Sequence, residues 1–170
     1  MSSHPRIEAW LHRVWSHRGP TACLLYPLSL IYGAISASKR KSTKPQHLPV
    51  PVVVVGNIYV GGTGKTPVTI ALVRELRARG WTPGVISRGF GRQAESDARE
   101  VGDEPLLIAR DSMAPVAVGR ARYQAGLALL HAHPGVNIIL SDDGLQHTAL
   151  ARDVELAVIG AGGLGNGWLL

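Results

Sequence analysis

A strand followed at once by a glycine-rich loop and an amphipathic helix constrains the fold of this 170-residue chain more than any other feature. The run Val52–Val55 is β-branched without a polar break, which is typical of a strand that is covered on both faces. The loop letters GNIYVGGTGKTP come next, and helical periodicity then continues until Gly80, a residue suited to a helix C-terminus. Strands of this kind occur in parallel sheets that helices cover.

The loop has the composition of a phosphate-binding loop. Glycines let backbone N–H groups approach phosphate oxygens, and the N-terminus of the following helix adds positive potential. Lys65 would reach the β- and γ-phosphates, and the hydroxyl of Thr66 would bind Mg²⁺. The generic pattern G-x-x-x-x-G-K-[ST] requires glycine at position 59, where this chain has Tyr59. A glycine-rich turn with a chance GKT is therefore the alternative interpretation.

Further along the chain, short apolar runs alternate with helical periodicity. The predicted strands are 52–55, 82–87, 114–118, 136–141 and 154–159, and short helices are predicted at 105–110 and 120–132. Alternating strands and helices imply right-handed βαβ units. The predicted fold class is α/β, with a parallel sheet like that of P-loop nucleotide hydrolases, flanked by helices.

The fourth predicted strand ends in two acidic residues, Asp142 and Asp143. Ligands bind at the carboxyl edge of parallel sheets, and a carboxylate there can hold Mg²⁺ directly or through water. Two adjacent carboxylates do not easily serve one ion, so their roles are expected to differ. The alternative is a solvated Asp-Gly turn at Asp143-Gly144.

Three other sites are less specific. Asp103 and Glu104 precede a short helix, where an N-cap and a first-turn acid are the ordinary roles, and spacing alone favours that interpretation over a general base. Arg88 and Arg92 follow the second strand and would bind phosphate or simply solvate a loop. A lone histidine such as His147 is more often structural than catalytic.

The charge of the chain is concentrated at its N-terminus. The net charge is +6, and residues 1–48 carry seven basic residues and one acidic residue, whereas residues 49–170 carry 11 of each. A basic segment suits nucleic acid or an anionic membrane. A single Phe argues against an aromatic platform for single-stranded nucleic acid, so no nucleic-acid partner is expected. The single cysteine, Cys23, excludes a disulfide scaffold and fits a reducing compartment.

The same region is apolar enough to meet a membrane. One helical stripe comprises Ile7, Trp10, Leu11, Val14 and Trp15. It suits an interfacial helix or a helix docked on its own core. Residues 19–38 are uncharged but interrupted by Pro and Gly, which favours a segment in or on the bilayer surface over a spanning helix, while a signal peptide is disfavoured. Residues 46–51 suggest a linker, and the predicted domains are 1–48 and 49–170.

Seven blocks in order carry a family resemblance. They are VVVVGNIYVGGTGKTP, SRGFGR, GDEP, APVAV, SDDGLQH, ARDVELAVI and GNGW. The chain resembles the tetraacyldisaccharide 4′-kinases of lipid A biosynthesis. The resemblance implies transfer of the ATP γ-phosphate to the 4′-hydroxyl of an acylated disaccharide 1-phosphate, which forms lipid IV-A. It also implies a location on the cytoplasmic face of the bacterial inner membrane, peripheral or anchored by the N-terminus.

The resemblance also implies roles for particular residues. The ATP contacts would be Tyr59, Val60, Gly61, Gly62, Thr63, Gly64, Lys65 and Thr66. The family's loop also lacks the generic first glycine, so Tyr59 is no longer a departure. Mg²⁺ would be bound by Thr66, Asp142 and Asp143. Asp103 would be the general base and Lys65 a catalytic residue, which reverses the preference for an N-cap at Asp103.

Two departures from the family accompany this resemblance. The segment before GDEP is shorter by about ten residues against typical loop variation, so substrate contacts from this trimmed loop are not carried over from the family. Family members are also about twice as long, with a second lobe after GNGW. The chain is therefore expected to be a fragment or a truncated protein with weak turnover. Another ATP-dependent P-loop enzyme and a non-catalytic membrane-binding fragment are the alternatives.

Overall fold

The computed structural model describes residues 19–57, 64–88 and 103–160. The chain divides into two compact units, one of which comprises Lys44–Val158, while the other contains the first helix. The helix predicted around residues 7–15 lies outside the described residues. The division into domains 1–48 and 49–170 stays a prediction.

The larger unit is built on a five-stranded sheet in the order β3-β2-β4-β1-β5. Its strands are β1 (Val52–Asn57), β2 (Pro83–Ser87), β3 (Val116–Val118), β4 (Ile138–Asp142) and β5 (Val154–Val158). Its helices are α2 (Lys65–Ala78), α3 (Asp103–Ser112) and α4 (Arg122–Ala132). Every strand pair is parallel, so the α/β class and the parallel sheet flanked by helices are confirmed.

The register brings the ends of the central strands together. Val55 on β1 pairs with Asp142 on β4, and Ile86 on β2 pairs with Ser141. Because all strands run the same way, the loops that follow β1, β2 and β4 leave from one edge of the sheet. This carboxyl edge is where the candidate residues meet.

Helices cover both faces of the central strands. Val52 and Val54 pack with residues of α4 in one core cluster, whereas Val53 belongs to a second cluster with residues of α2 and α3. Successive strand residues point to opposite faces, so the two clusters lie on opposite sides of the sheet. The prediction that β1 is buried on both faces is confirmed, since Val52–Val55 are all buried.

The segment predicted as a linker is part of this core, and that prediction is wrong. The N–H of Gln46 donates to the carbonyl of Ala149, and the Gln46 carbonyl accepts from the N–H of Ala151. Leu48 is buried in the α4 cluster. Its methyls fill the space beside Gly126, where an added Cβ would lie 2.5 Å from Leu48 Cδ1. The chain bends at Pro49 and Val50, and the buried side chain of Leu48 still fixes the segment to the core.

The first helix, α1, extends over Pro20–Ser42 and contains Pro27. Proline removes one backbone hydrogen bond from a helix interior. Four apolar residues spaced at i, i+4, i+7 and i+11 are each more than half exposed: Leu24, Leu28, Ile31 and Ile35. None of the helices in the described residues combines the length and the hydropathy needed to cross a membrane.

Candidate active site

The candidate site lies where helix α2 begins, beside the ends of β1 and β4. Gly64 precedes α2 with φ +77° and ψ +24°, a left-handed conformation that favours glycine. Its carbonyl accepts from the N–H of Val68. At the other end of α2, Gly80 has φ +85°, as expected for a residue just past a helix. Five of the predicted ATP contacts, Tyr59, Val60, Gly61, Gly62 and Thr63, lie outside the described residues.

Lys65 and Asp143 are brought together by this arrangement. The ammonium Nζ of Lys65 donates to Oδ1 of Asp143 at 2.6 Å, across a separation of 78 residues. The Lys65 side chain is 17% exposed and that of Asp143 is 38% exposed. Asp143 itself has φ +52°, a conformation that Asp tolerates better than most residues. The Asp-Gly turn is thus present, and it also delivers a carboxylate to the predicted lysine.

Asp142 is held more deeply than its neighbour. It is fully buried, and its Oδ1 accepts a hydrogen bond from Thr69 Oγ1 at 3.0 Å. Its Oδ2 has no hydrogen-bond partner among the described residues. Burial raises the pKa of this carboxyl above its ordinary value, and the Thr69 hydrogen bond opposes that shift. The two adjacent acids therefore have different environments, while the expectation that their roles differ stays a prediction.

Helix α3 supplies a further carboxylate. The hydroxyl of Thr66 donates to Oε1 of Glu104, in the first turn of α3. Asp103 is the first residue of that helix. The beginnings of α2 and α3 therefore lie against each other at the carboxyl edge. The predicted role of Asp103 as general base stays a prediction.

Arg122, the first residue of α4, contacts the backbone of the acidic pair. It is only 2% exposed, and its Nη2 donates to the backbone carbonyl of Asp142 at 2.9 Å. A longer contact of 3.5 Å reaches the carbonyl of Asp143. Burial lowers the pKa of the guanidinium to about 10, although Asp142 and Asp143 favour its charged form. Arg122 therefore remains a cation at neutral pH.

The remaining candidates have lesser roles in this geometry. Arg88 follows β2 and is exposed, and Arg92 lies outside the described residues. The N–H of His147 donates to the carbonyl of Gly144 at 2.9 Å, and its own carbonyl accepts from Arg152 at 2.7 Å. Burial, together with Arg122 and Arg88, lowers the pKa of His147. Its backbone contacts stabilise the turn after the acidic pair.

Three contacting residues were not predicted as part of a site. Thr69 lies one helical turn after Lys65 and Thr66, so the helical repeat alone would place it on the same face. Glu104 was considered only as a first-turn acid. Arg122 has no sequence signal, because a basic residue at a helix start is ordinarily a solvated one.

These hydroxyl and carboxylate oxygens suit a site that binds Mg²⁺ together with phosphate groups. Hydroxyl and carboxylate oxygens are the ligands that Mg²⁺ prefers, and it usually takes one or two carboxylates with substrate phosphates and water. Within residues 19–57, 64–88 and 103–160, no three Asp, Glu, His or Cys side chains are grouped as a metal site. A metal here would have to share its coordination with phosphate oxygens and water.

Comparison with known proteins identifies the family. The family model described as "LpxK: Tetraacyldisaccharide-1-P 4'-kinase" matches residues 21–170. This chain belongs to the tetraacyldisaccharide-1-P 4'-kinase family. The resemblance inferred from the seven sequence blocks is confirmed, and the match decides against an unrelated P-loop enzyme.

Relatives within this family are close. A tetraacyldisaccharide 4'-kinase of Dechloromonas aromatica is 58% identical over 175 residues, which cover 96% of this chain and 53% of the relative. One from an Acidovorax species is also 58% identical, covering 94% of this chain and 51% of the relative. The chain thus spans about half the length of the curated relatives it matches.

A solved structure from this family resembles the chain. It is the LpxK of Aquifex aeolicus, described as an "apo" form in complex with ATP. The two share 31% sequence identity and superpose with a TM-score of 0.68, over 79% of this chain and 48% of that one. The α/β sheet described above is therefore the fold of this family.

Proposed function

We propose that this chain carries the nucleotide-binding part of a kinase that transfers the ATP γ-phosphate to the 4′-hydroxyl of a tetraacyldisaccharide 1-phosphate. The observation that carries the proposal is the meeting of Lys65, Thr66 and the acidic pair at one sheet edge, in a chain that matches the kinase family over residues 21–170. The related LpxK structure is described as a complex with ATP.

In this proposal the start of α2 receives the nucleotide phosphates. Backbone N–H groups of residues 59–64 and the positive end of α2 attract the phosphate oxygens. Lys65 adds a full positive charge. In the structure this charge is neutralised by Asp143 at 2.6 Å, so Lys65 would exchange part of that contact for a phosphate oxygen.

Thr66, Asp142 and Asp143 are the residues proposed to hold Mg²⁺. The unpartnered, buried Oδ2 of Asp142 is an oxygen that lacks a donor or a cation, and buried polar atoms ordinarily have one. When bound, Mg²⁺ neutralises charge on the β- and γ-phosphates. Asp142 is the stronger candidate ligand, because Asp143 already pairs with Lys65.

The acceptor would be activated from α3. Asp103 would take the proton of the 4′-hydroxyl as its oxygen forms a bond to the γ-phosphorus and the bond to the ADP oxygen breaks. The products are ADP, the 4′-phosphorylated disaccharide and a proton held at first on Asp103. The contact between Thr66 and Glu104 supports this assignment, since it fixes the start of α3 beside the phosphate-binding helix.

The test is phosphate transfer by the full-length gene product. Incubation with γ-labelled ATP and tetraacyldisaccharide 1-phosphate should give a labelled lipid that depends on Mg²⁺. We expect Asp103→Asn to lower kcat by at least a hundredfold with little change in ATP affinity. A matched change at an exposed acid, Glu75→Gln, should leave kcat unaltered. Absence of the labelled product from the wild-type protein would contradict the proposal.

We also infer that α1 lies on a membrane surface, on the cytoplasmic face of the inner membrane. Leu24, Leu28, Ile31 and Ile35 form one exposed apolar stripe, and Leu30 and Tyr32 are exposed elsewhere on the helix. Four basic residues follow at its end and just beyond: Lys39, Arg40, Lys41 and Lys44. An apolar stripe with a basic end is suited to anionic lipid surfaces. The disaccharide acceptor carries acyl chains, so the enzyme must meet it at such a surface.

Vesicle sedimentation tests this inference. The full-length protein should bind vesicles with anionic lipid and bind neutral vesicles several-fold less. The double substitution Leu28→Glu and Ile31→Glu should weaken binding to both, whereas the same change at the polar positions Ser36 and Ser38 should have a smaller effect. Equal binding of the wild type and the Leu28/Ile31 variant would refute a role for the stripe.

A further inference from the structure

Arg122 contacts the acidic pair in a way that points to a role beyond packing. We propose that Arg122 is a positioning residue that fixes the Asp142–Asp143 turn so that the two carboxylates are aimed at the metal and at Lys65. The inference rests on the proposed function, because it assigns these carboxylates to a magnesium nucleotide. It adds a residue that the seven sequence blocks do not contain.

The geometry shows one residue held from opposite sides. Thr69 comes from α2, which packs with Val53 on one face of the sheet, and donates to the side chain of Asp142 at 3.0 Å. Arg122 comes from α4, which packs on the other face, and donates to the backbone carbonyl of the same residue at 2.9 Å. A side chain and its own carbonyl are thus fixed by two separate helices.

Arg122 also contacts the loop that precedes its own helix and the turn that follows β4. Its guanidinium lies 3.5 Å from the carbonyls of Asp143 and Gly119. Asp143 has φ +52°, a left-handed conformation that Asp tolerates better than most residues but that still costs energy, so contacts that hold it matter. The N–H of Gly144 donates to the Val55 carbonyl at 3.2 Å and adds a second restraint. The turn is therefore held from both ends.

The charge of Arg122 matters as much as its hydrogen bonds. The Asp142 carboxylate lies near those of Glu104 and Asp143 and near the ammonium of Lys65. The Arg122 guanidinium lies near Asp142, Asp143 and a further cation, Arg88. A buried guanidinium is costly to desolvate, and this one has no carboxylate hydrogen-bonded to it among the described residues, only carbonyls. Its Nε is also buried without a partner in the described part of the chain. A residue needed only to fill space would not require a charge at this depth.

Loss of Arg122 should weaken the binding of Mg²⁺ more than the binding of the nucleotide itself. Without Arg122, the turn loses its carbonyl contacts and the carboxylates lose a counter-charge, so Asp142 would present its oxygen less well to Mg²⁺. Lys65 is the first residue of α2, which is a different element from the Asp142–Asp143 turn that Arg122 contacts. Affinity for ATP in the absence of metal should therefore change little.

The experiment compares ATP affinity with and without metal in the full-length gene product. Calorimetry gives the Kd for ATP with Mg²⁺ present and with EDTA, and the ratio of the two is the magnesium gain. We expect Arg122→Met to reduce this gain at least tenfold, with the Kd in EDTA within twofold of the wild type. Arg122→Lys keeps the charge but cannot reach several carbonyls at once, and should reduce the gain at least threefold.

Arg77→Met is the matched control. Arg77 also donates to two carbonyls, those of Ser112 at 2.9 Å and Met113 at 2.8 Å, at the far end of α3. That variant should keep the wild-type magnesium gain. A wild-type gain in Arg122→Met overturns the proposal, and if that variant does not fold, a wild-type gain in Arg122→Lys does so. Absence of magnesium ATP binding in the wild type would instead refute the proposed function.

Discussion

Gly144, directly after the acidic pair, allows a quantitative prediction. A Cβ added there would lie 2.6 Å from Ser141 Oγ and 2.9 Å from Val54 Cγ1. Both are shorter than any ordinary contact, and Ser141 and Val54 are 0% and 1% exposed, so neither has free space to move into. Gly144→Ala should therefore strain the turn, and overpacking of this kind costs about 1–3 kcal/mol.

Urea unfolding of the full-length gene product measures this cost. Gly135→Ala is the matched control, because an added Cβ there meets nothing within 4 Å. It should leave the free energy of unfolding within about 0.5 kcal/mol of the wild type or raise it slightly, since alanine restricts the unfolded chain.

A double variant separates strain from other causes. Ser141 Oγ is buried without a hydrogen-bond partner in the described structure, so its removal costs little by itself and opens the shortest contact. Ser141→Ala should recover about 1 kcal/mol of the loss in Gly144→Ala, a coupling that independent sites do not show. Equal stabilities of Gly144→Ala and Gly135→Ala would refute the steric argument.

Two further predictions concern the buried acid and the supposed linker. The pKa of Asp142 is raised in the folded protein, so its contribution to stability is greatest below its ordinary pKa of 3.8 and is lost as pH rises through the higher pKa of the folded state. Asp142→Asn should therefore gain stability relative to the wild type as pH rises, as measured by urea unfolding between about pH 4 and 8, and a constant difference would contradict this. Leu48→Ala should destabilise the fold by about 2–4 kcal/mol because Leu48 is a core residue, whereas His47→Ala, at an exposed neighbour, should have little effect.

The strands could be predicted from the sequence because their signal is local. Val52–Val55 is apolar without a break, and β1 is confirmed with two added residues, Gly56 and Asn57. The third strand is shorter than predicted and begins at Val116, just after Pro115, which has no N–H to pair. Residues 46–51 misled the prediction, since prolines indicate a linker while the burial of Leu48 depends on its distant neighbour Gly126.

The site residues also fall into two groups, those that a local sequence pattern predicts and those whose contacts depend on packing between distant elements. Lys65, Thr66 and the acidic pair could be predicted because each directly follows a loop or strand with a recognisable pattern, and the parallel sheet then brings them together. Thr69, Glu104 and Arg122 owe their contacts to the packing of three helices around the sheet edge. No local pattern distinguishes a buried arginine that binds carbonyls from a solvated one.

The central claim is that the start of α2 binds the phosphates of ATP through Lys65. Its most direct test is titration calorimetry of the full-length gene product with magnesium ATP, for the wild type and for Lys65→Ala. We predict saturable binding to the wild type and at least tenfold weaker binding to the variant. Equal affinities, or no binding by the wild-type protein, would contradict the claim.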